Sequence, residues 1–144
     1  MRAVITRVSE ASVSVDGKTI GKIGKGFLVL LGISVTDTEA EADKLADKIC
    51  GLRVFEDEKG KMILAPDKVG AQFLIISQFT LYADCASRRP GFTKAAGAEL
   101  ALPLYERCVS VCRDRGFHVE CGQFGAEMKV FSINEGPVTL ILEA

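Results

Sequence analysis

Two short runs constrain this chain more than anything else in it: "GFLVLLGISV" from Gly26 and "QFLIIS" from Gln72, both apolar at successive rather than alternate positions. Side chains of a strand point to opposite faces in turn, so a run apolar at both parities is a strand buried on both sides. Any fold holding two such strands needs a central sheet with a layer against each face. The rest of the chain supplies candidates for those layers. "VSVDGKTI" sets Asp16-Gly17 between alternating segments, the pattern of a tight hairpin. Thr38 with Glu41 forms a capping box, and Ala42, Leu45, Ile49 and Leu52 recur at helical spacing, which predicts a first helix over about residues 38–50. "EDEKGKM" reads as a second hairpin turn, charged at its tip.

A second amphipathic helix is predicted between Thr93 and Arg115, with Leu100, Leu104, Cys108 and Val111 on its apolar face and Gly116 closing it. Pro103 falls inside this stretch. Its missing N–H predicts that the regular helix starts close to Pro103 and that the Ala/Gly-rich piece before it is a separate turn or short helix. "FHVECGQF", "EMKVFSI" and "PVTLILE" read as strands. The order of elements predicts one layered α/β or α+β domain over residues 1–144, its core built mostly from sheets.

Composition removes several classes of function. With 48% hydrophobic and 26% charged residues the chain is neither disordered nor a nucleic-acid coat, and a net charge of −1 leaves any RNA contact to a local patch. "MRAVITRVSEASVSVDG" lacks the apolar core of a signal peptide and no run reaches the length of a membrane span, so a cytoplasmic protein is expected. The five cysteines, Cys50, Cys85, Cys108, Cys112 and Cys121, include no C-x-x-C pair, and Cys108 and Cys112 read as small core residues. No metal or cofactor is expected. The single histidine, His118, has no triad context around it.

Two stretches carry more than structure. "SQFTLYAD" puts Ser77, Gln78 and Thr80 where a buried strand leaves the core, which suits either a binding site or a plain polar strand end. "FSINEGPVTLILEA" interrupts a strand-forming run with Gly136-Pro137, a pair that cannot sit in a central ladder. That run is therefore two strands joined by a turn, or the turn has work of its own.

Taken together, Ser77-Gln78-Phe79-Thr80 and Asn134-Glu135-Gly136-Pro137-Val138-Thr139 resemble the two signature motifs of the D-aminoacyl-tRNA deacylases. The resemblance extends to "MRAVITRVSEASVSVDG", "IGKGFLVLLG", "LADKI", "LRVFEDEKGKM", "SRRPGFTKAA" and "FGAEMKV", and so spans the chain. It departs after Asp84, where "CASRRP" stands in place of a longer basic segment but keeps Arg88 and Arg89. The resemblance implies a layered β/β/α sandwich with two main helices and a homodimeric hydrolase of the ester between tRNA and a D-amino acid, or glycine mischarged on tRNA-Ala. It implies a catalytic group of Ser77, Gln78, Phe79 and Thr80, with the 2′-OH of the substrate's terminal adenosine assisting. It further implies a cis Gly136-Pro137 turn that, with Asn134 and Thr139, reaches into the partner subunit's pocket and rejects L-amino acids. Editing of another misacylated tRNA, or a non-catalytic dimeric module that binds RNA ends, are the competing expectations.

Overall fold

The computed structural model describes residues 1–144. Strand β1 (Arg2–Val15) turns through Asp16 and Gly17, both at positive φ as the tight hairpin requires, into β2 (Lys18–Ile23). Then follow β3 (Gly26–Gly32), α1 (Glu39–Gly51), the small hairpin β4 (Phe55–Glu56) and β5 (Met62–Leu64), and β6 (Gln72–Ser77). Helix α2 (Ala98–Asp114), β7 (Val119–Cys121) and β8 (Lys129–Glu143) complete the chain. The capping box at Thr38 and Glu41 forms as expected and opens α1.

The main sheet runs β2-β1-β3-β6-β7, with β8 on the far side of β1. β1 pairs antiparallel with β2, β3 and β8, while β3, β6 and β7 are parallel. Both doubly apolar runs are central, as predicted. Phe27, Val29, Leu31, Phe73 and Ile75 face the two helices, meeting Leu45, Ile49, Leu104 and Cys108 in the larger core. Leu28, Leu74 and Ile76 point the other way and are covered by Val8, Ala11, Val13 and Ile23 from the curled end of β1 and β2. There the backbones come so close that a Cβ on Gly21 would lie 2.9 Å from the Cys121 carbonyl oxygen. The sheet thus folds over itself and helices cover its other face, giving three layers, β/β/α. Cys108 and Cys112 are buried in the helix-side core. No helix is long and apolar enough to cross a membrane.

Two expectations need correction. Helix α2 does not begin near Pro103; it runs unbroken from Ala98 and carries Pro103 in its second turn. Proline there forfeits one hydrogen bond, to the Glu99 carbonyl, and burial of Ala101 beside Leu104 and Tyr105 holds the first turn in place. The buried stripe accordingly passes through Ala101, Leu104, Tyr105, Cys108, Val109 and Cys112, leaving Leu100 exposed and Val111 only half-buried. The C-terminal run is likewise one strand, β8, not two. It tolerates Gly136-Pro137 because it is an edge strand and because residues 135–138 bulge out of register, between the pairs Thr6↔Thr139 and Val8↔Asn134.

Candidate active site

β6 delivers its last residues to one end of the sheet. Ser77 pairs with Leu31, the Gln78 N–H donates to the Leu31 carbonyl at 2.8 Å, and the chain then leaves the sheet into a 3₁₀ turn, Phe79–Tyr82. Gly32 makes this exit possible: a Cβ there would stand 2.9 Å from Leu81 Cβ and 3.1 Å from the Gln78 carbonyl oxygen. Arg2 fastens the turn from outside, donating from Nη1 to the Leu81 carbonyl at 2.8 Å, with its guanidinium 4.8 Å from the centre of the Tyr82 ring. Burial, then the charge of Asp37, pushes the Tyr82 hydroxyl pKa up, so it stays protonated.

A cleft of about 360 Å³ opens at this strand end. Ser77, Gln78 and Phe79 form one wall and Phe124, Met128 and Val130 stand among the others. None of its fourteen lining residues is titratable, so the polar groups on offer are the Ser77 hydroxyl, the Gln78 amide and main chain. Thr80 lies just outside the lining, its Oγ1 accepting from Gln78 Nε2 at 2.5 Å. The Phe79 and Thr80 N–H groups donate none of the turn and loop hydrogen bonds, as is usual at the start of a helical turn. His118 is remote from this chemistry, exposed and 3.3 Å from Glu120 Oε2.

The second motif stands elsewhere. Asn134, Gly136 and Thr139 are exposed, none of residues 134–139 lines the cleft, and the Gly136–Pro137 peptide bond is cis. Asn134 Oδ1 accepts from Ser132 Oγ at 2.8 Å and Thr139 Oγ1 lies 3.2 Å from Thr6 Oγ1. The chain therefore gathers Ser77–Thr80 in one place and Asn134–Thr139 in another, and the cleft at the end of β6 takes in only the first.

Sequence reasoning missed what holds the bulge. Arg7, only 7% exposed, sits opposite it on β1 and donates from Nε to the Glu135 carbonyl at 3.2 Å and from Nη1 to the Val54 carbonyl at 2.7 Å. Its Nη2 is 3.7 Å from Glu56 Oε1. One buried guanidinium thus ties the bulge to the segment leading into β4, a fixed fork that a lysine could not reproduce. A signal existed: Arg7 shares the inward parity of Ala3 and Ile5.

The chain matches the family described as D-Tyr-tRNA(Tyr) deacylase over residues 4–143. A protein of Desulfatibacillum aliphaticivorans named D-aminoacyl-tRNA deacylase is 54% identical over 100% of this chain and 99% of its own length. Among solved structures, the c-Myc DNA Unwinding Element Binding Protein superposes with a TM-score of 0.95 at 41% identity, covering 100% of this chain and 99% of that one. A "probable eukaryotic D-amino acid tRNA deacylase" superposes with a TM-score of 0.87 at 15% identity over 99% and 98% of the two chains, a likeness that speaks for the fold alone. With a family match running from the third residue of β1 to the last of β8, and such identity along its whole length, the chain belongs to the D-Tyr-tRNA(Tyr) deacylase family.

Proposed function

We propose that residues 1–144 act as one domain that hydrolyses the ester of D-aminoacyl-tRNA in the cytoplasm, releasing free tRNA and the D-amino acid. Glycyl-tRNA mischarged on tRNA-Ala is a second substrate. The observation that carries this reading is the cleft at the end of β6, where Ser77, Gln78 and main-chain groups meet and no lining side chain is titratable. No lining side chain serves as general base, which suits an aminoacyl ester: the bond is already activated, the 2′-OH of the terminal adenosine relays the proton of the attacking water to the departing 3′-oxygen, and the main need is to stabilise the oxyanion as water adds to the carbonyl. One preorganised donor is worth about 2.7–4 kcal/mol in comparable sites. The N–H groups of Phe79 and Thr80, with Ser77 or Gln78, fill that role, and Thr80 positions Gln78 rather than attacking, since no base adjoins its hydroxyl.

Chirality is read by main chain. An enzyme that accepts many side chains must discriminate through the amino group and the Cα substituents, for which a rigid turn serves. The Gly136-Pro137 turn, exposed and away from its own cleft, acts in the cleft of a second copy. The apolar residues left bare on β8, Phe131 at 54% and Ile141 at 66% exposure among them, support a homodimer.

The test is to incubate the protein with D-tyrosyl-, L-tyrosyl- and glycyl-tRNA and follow ester loss. Rapid loss of the D-tyrosyl and glycyl esters with the L-tyrosyl ester spared is the expected result. Retention of the D ester would overturn the enzymatic reading in favour of RNA-end binding, and equal loss of both tyrosyl esters would overturn the chirality gauge.

A further inference from the structure

Arginines in this fold are braces, with two exceptions. Of the eight in the sequence, Arg2, Arg7, Arg53, Arg107, Arg113 and Arg115 all donate to carbonyl or carboxylate oxygens of the chain. Arg88 and Arg89 are exposed, and neither guanidinium has an ion-pair or hydrogen-bond partner. They stand side by side at the tip of a loop, Asp84–Gly91, that is itself well fixed. Asp84 and Gly91 exchange both main-chain bonds, at 2.7 and 2.9 Å, and Ser87 Oγ donates to the Arg89 carbonyl at 2.9 Å. The loop's only carboxylate, Asp84, accepts from the Ala86 N–H at 3.0 Å. The segment from Phe79 to Ala98 carries three cations, Arg88, Arg89 and Lys94, and this single acid, in a chain whose net charge is −1.

The loop is rooted at the mouth of the cleft. Phe92, directly after Gly91, packs edge-on against Phe79 with ring centres 5.2 Å apart; Phe79 lines the cleft, and both rings are exposed. Unpaired guanidiniums on a preorganised loop, beside exposed aromatic rings, make a surface suited to single-stranded nucleic acid. We propose that this loop is a phosphodiester-binding arm: Arg88 and Arg89 hold backbone phosphates of the single-stranded 3′ tail whose terminal ester occupies the cleft. This rests on the function proposed above and adds how the polynucleotide, as distinct from the aminoacyl group, is held.

The test compares wild type with the double variant Arg88→Ala/Arg89→Ala on three D-tyrosyl esters: tRNA, a short single-stranded oligonucleotide with the same 3′ end, and adenosine. With tRNA and with the oligonucleotide, KM should rise about tenfold, kcat should change less than twofold, and the dependence of log KM on log salt should flatten by about 1–1.5, for two phosphate contacts. The adenosine ester, which has no phosphodiester, should show no change in KM. Arg88→Lys/Arg89→Lys should recover part of the loss. An unchanged salt slope, or an equal KM rise with the adenosine ester, overturns the arm. A rise confined to full tRNA places the contacts on duplex phosphates and overturns the single-strand assignment. If wild type hydrolyses none of the esters, the function proposed above fails, while the arm is still judged by anisotropy with uncharged tRNA: equal affinity of wild type and variant overturns it.

Discussion

Gly136 shows how little space a single residue leaves for change at this site. At φ +120° an added Cβ would stand 2.9 Å from Val138 Cγ2 and 3.0 Å from both Arg7 Nη2 and the Val138 nitrogen. Gly136→Ala therefore meets backbone strain of about 1–3 kcal/mol and presses on the guanidinium that holds the bulge. The expected outcome is a folded protein that hydrolyses the D-tyrosyl ester poorly or no longer spares the L ester, read from deacylation rates with both enantiomers. Thr80 is the opposite case. Its hydroxyl bonds Gln78 Nε2 and does not line the cleft, so Thr80→Ala removes one neutral hydrogen bond worth about 0.5–1.5 kcal/mol. Single-turnover rates should fall by about tenfold or less, and abolition of activity in a folded variant would make the hydroxyl the nucleophile. At this scale the sequence displayed Ser77, Gln78, Phe79 and Thr80 as a group, because they are contiguous at a strand end. It hid Arg7 and Gly32, whose partners, Glu135, Val54 and Leu81, are remote in the chain.

Elements built from local signals formed where the sequence placed them. α1 opens at its capping box, the Asp16-Gly17 hairpin closes at its two positive-φ residues, and both doubly apolar runs are central strands. α2 departs from its local signal because burial of its first turn outweighs the proline. Pro103 is exposed, so Pro103→Ala should restore the bond to the Glu99 carbonyl and raise stability by about 1–2 kcal/mol, part of proline's usual helix-interior penalty, visible as a higher melting temperature. The two helices are also joined by charge: Arg107 donates to Asp43 from Nε at 2.8 Å and from Nη2 at 3.0 Å. That hydrogen bond, opposed by a smaller cost of burial, lowers the Asp43 pKa in the folded protein. A lowered folded pKa stabilises above the unfolded value, about 3.9, and the benefit is lost as pH falls through the folded one. Thermal melts from pH 7 down to pH 2 should therefore lose stability less steeply at the acid end in Asp43→Asn than in wild type.

For the whole molecule the deciding feature is the bare face of β8. This fifteen-residue edge strand leaves Val130, Phe131, Ile133, Leu140 and Ile141 exposed, an unusual surface for a chain that acts alone. Light scattering should give twice the chain mass, and Ile141→Lys should shift the protein toward monomer with loss of D-ester hydrolysis. A wild-type monomer that retains stereospecific activity would refute the shared site. What the sequence determined by itself was whatever depends on neighbours in the chain: turn, cap and helical spacing, the two doubly buried strands, and the contiguous motif at the end of β6. Tertiary structure alone decided the curl that lays β2 over β7, the passage of α2 through Pro103, the single bulged strand around Gly136-Pro137, and its brace by Arg7. Each of these is set by packing between segments far apart in the chain, where the burial gained outweighs the local preference, and local pattern carries no record of that balance.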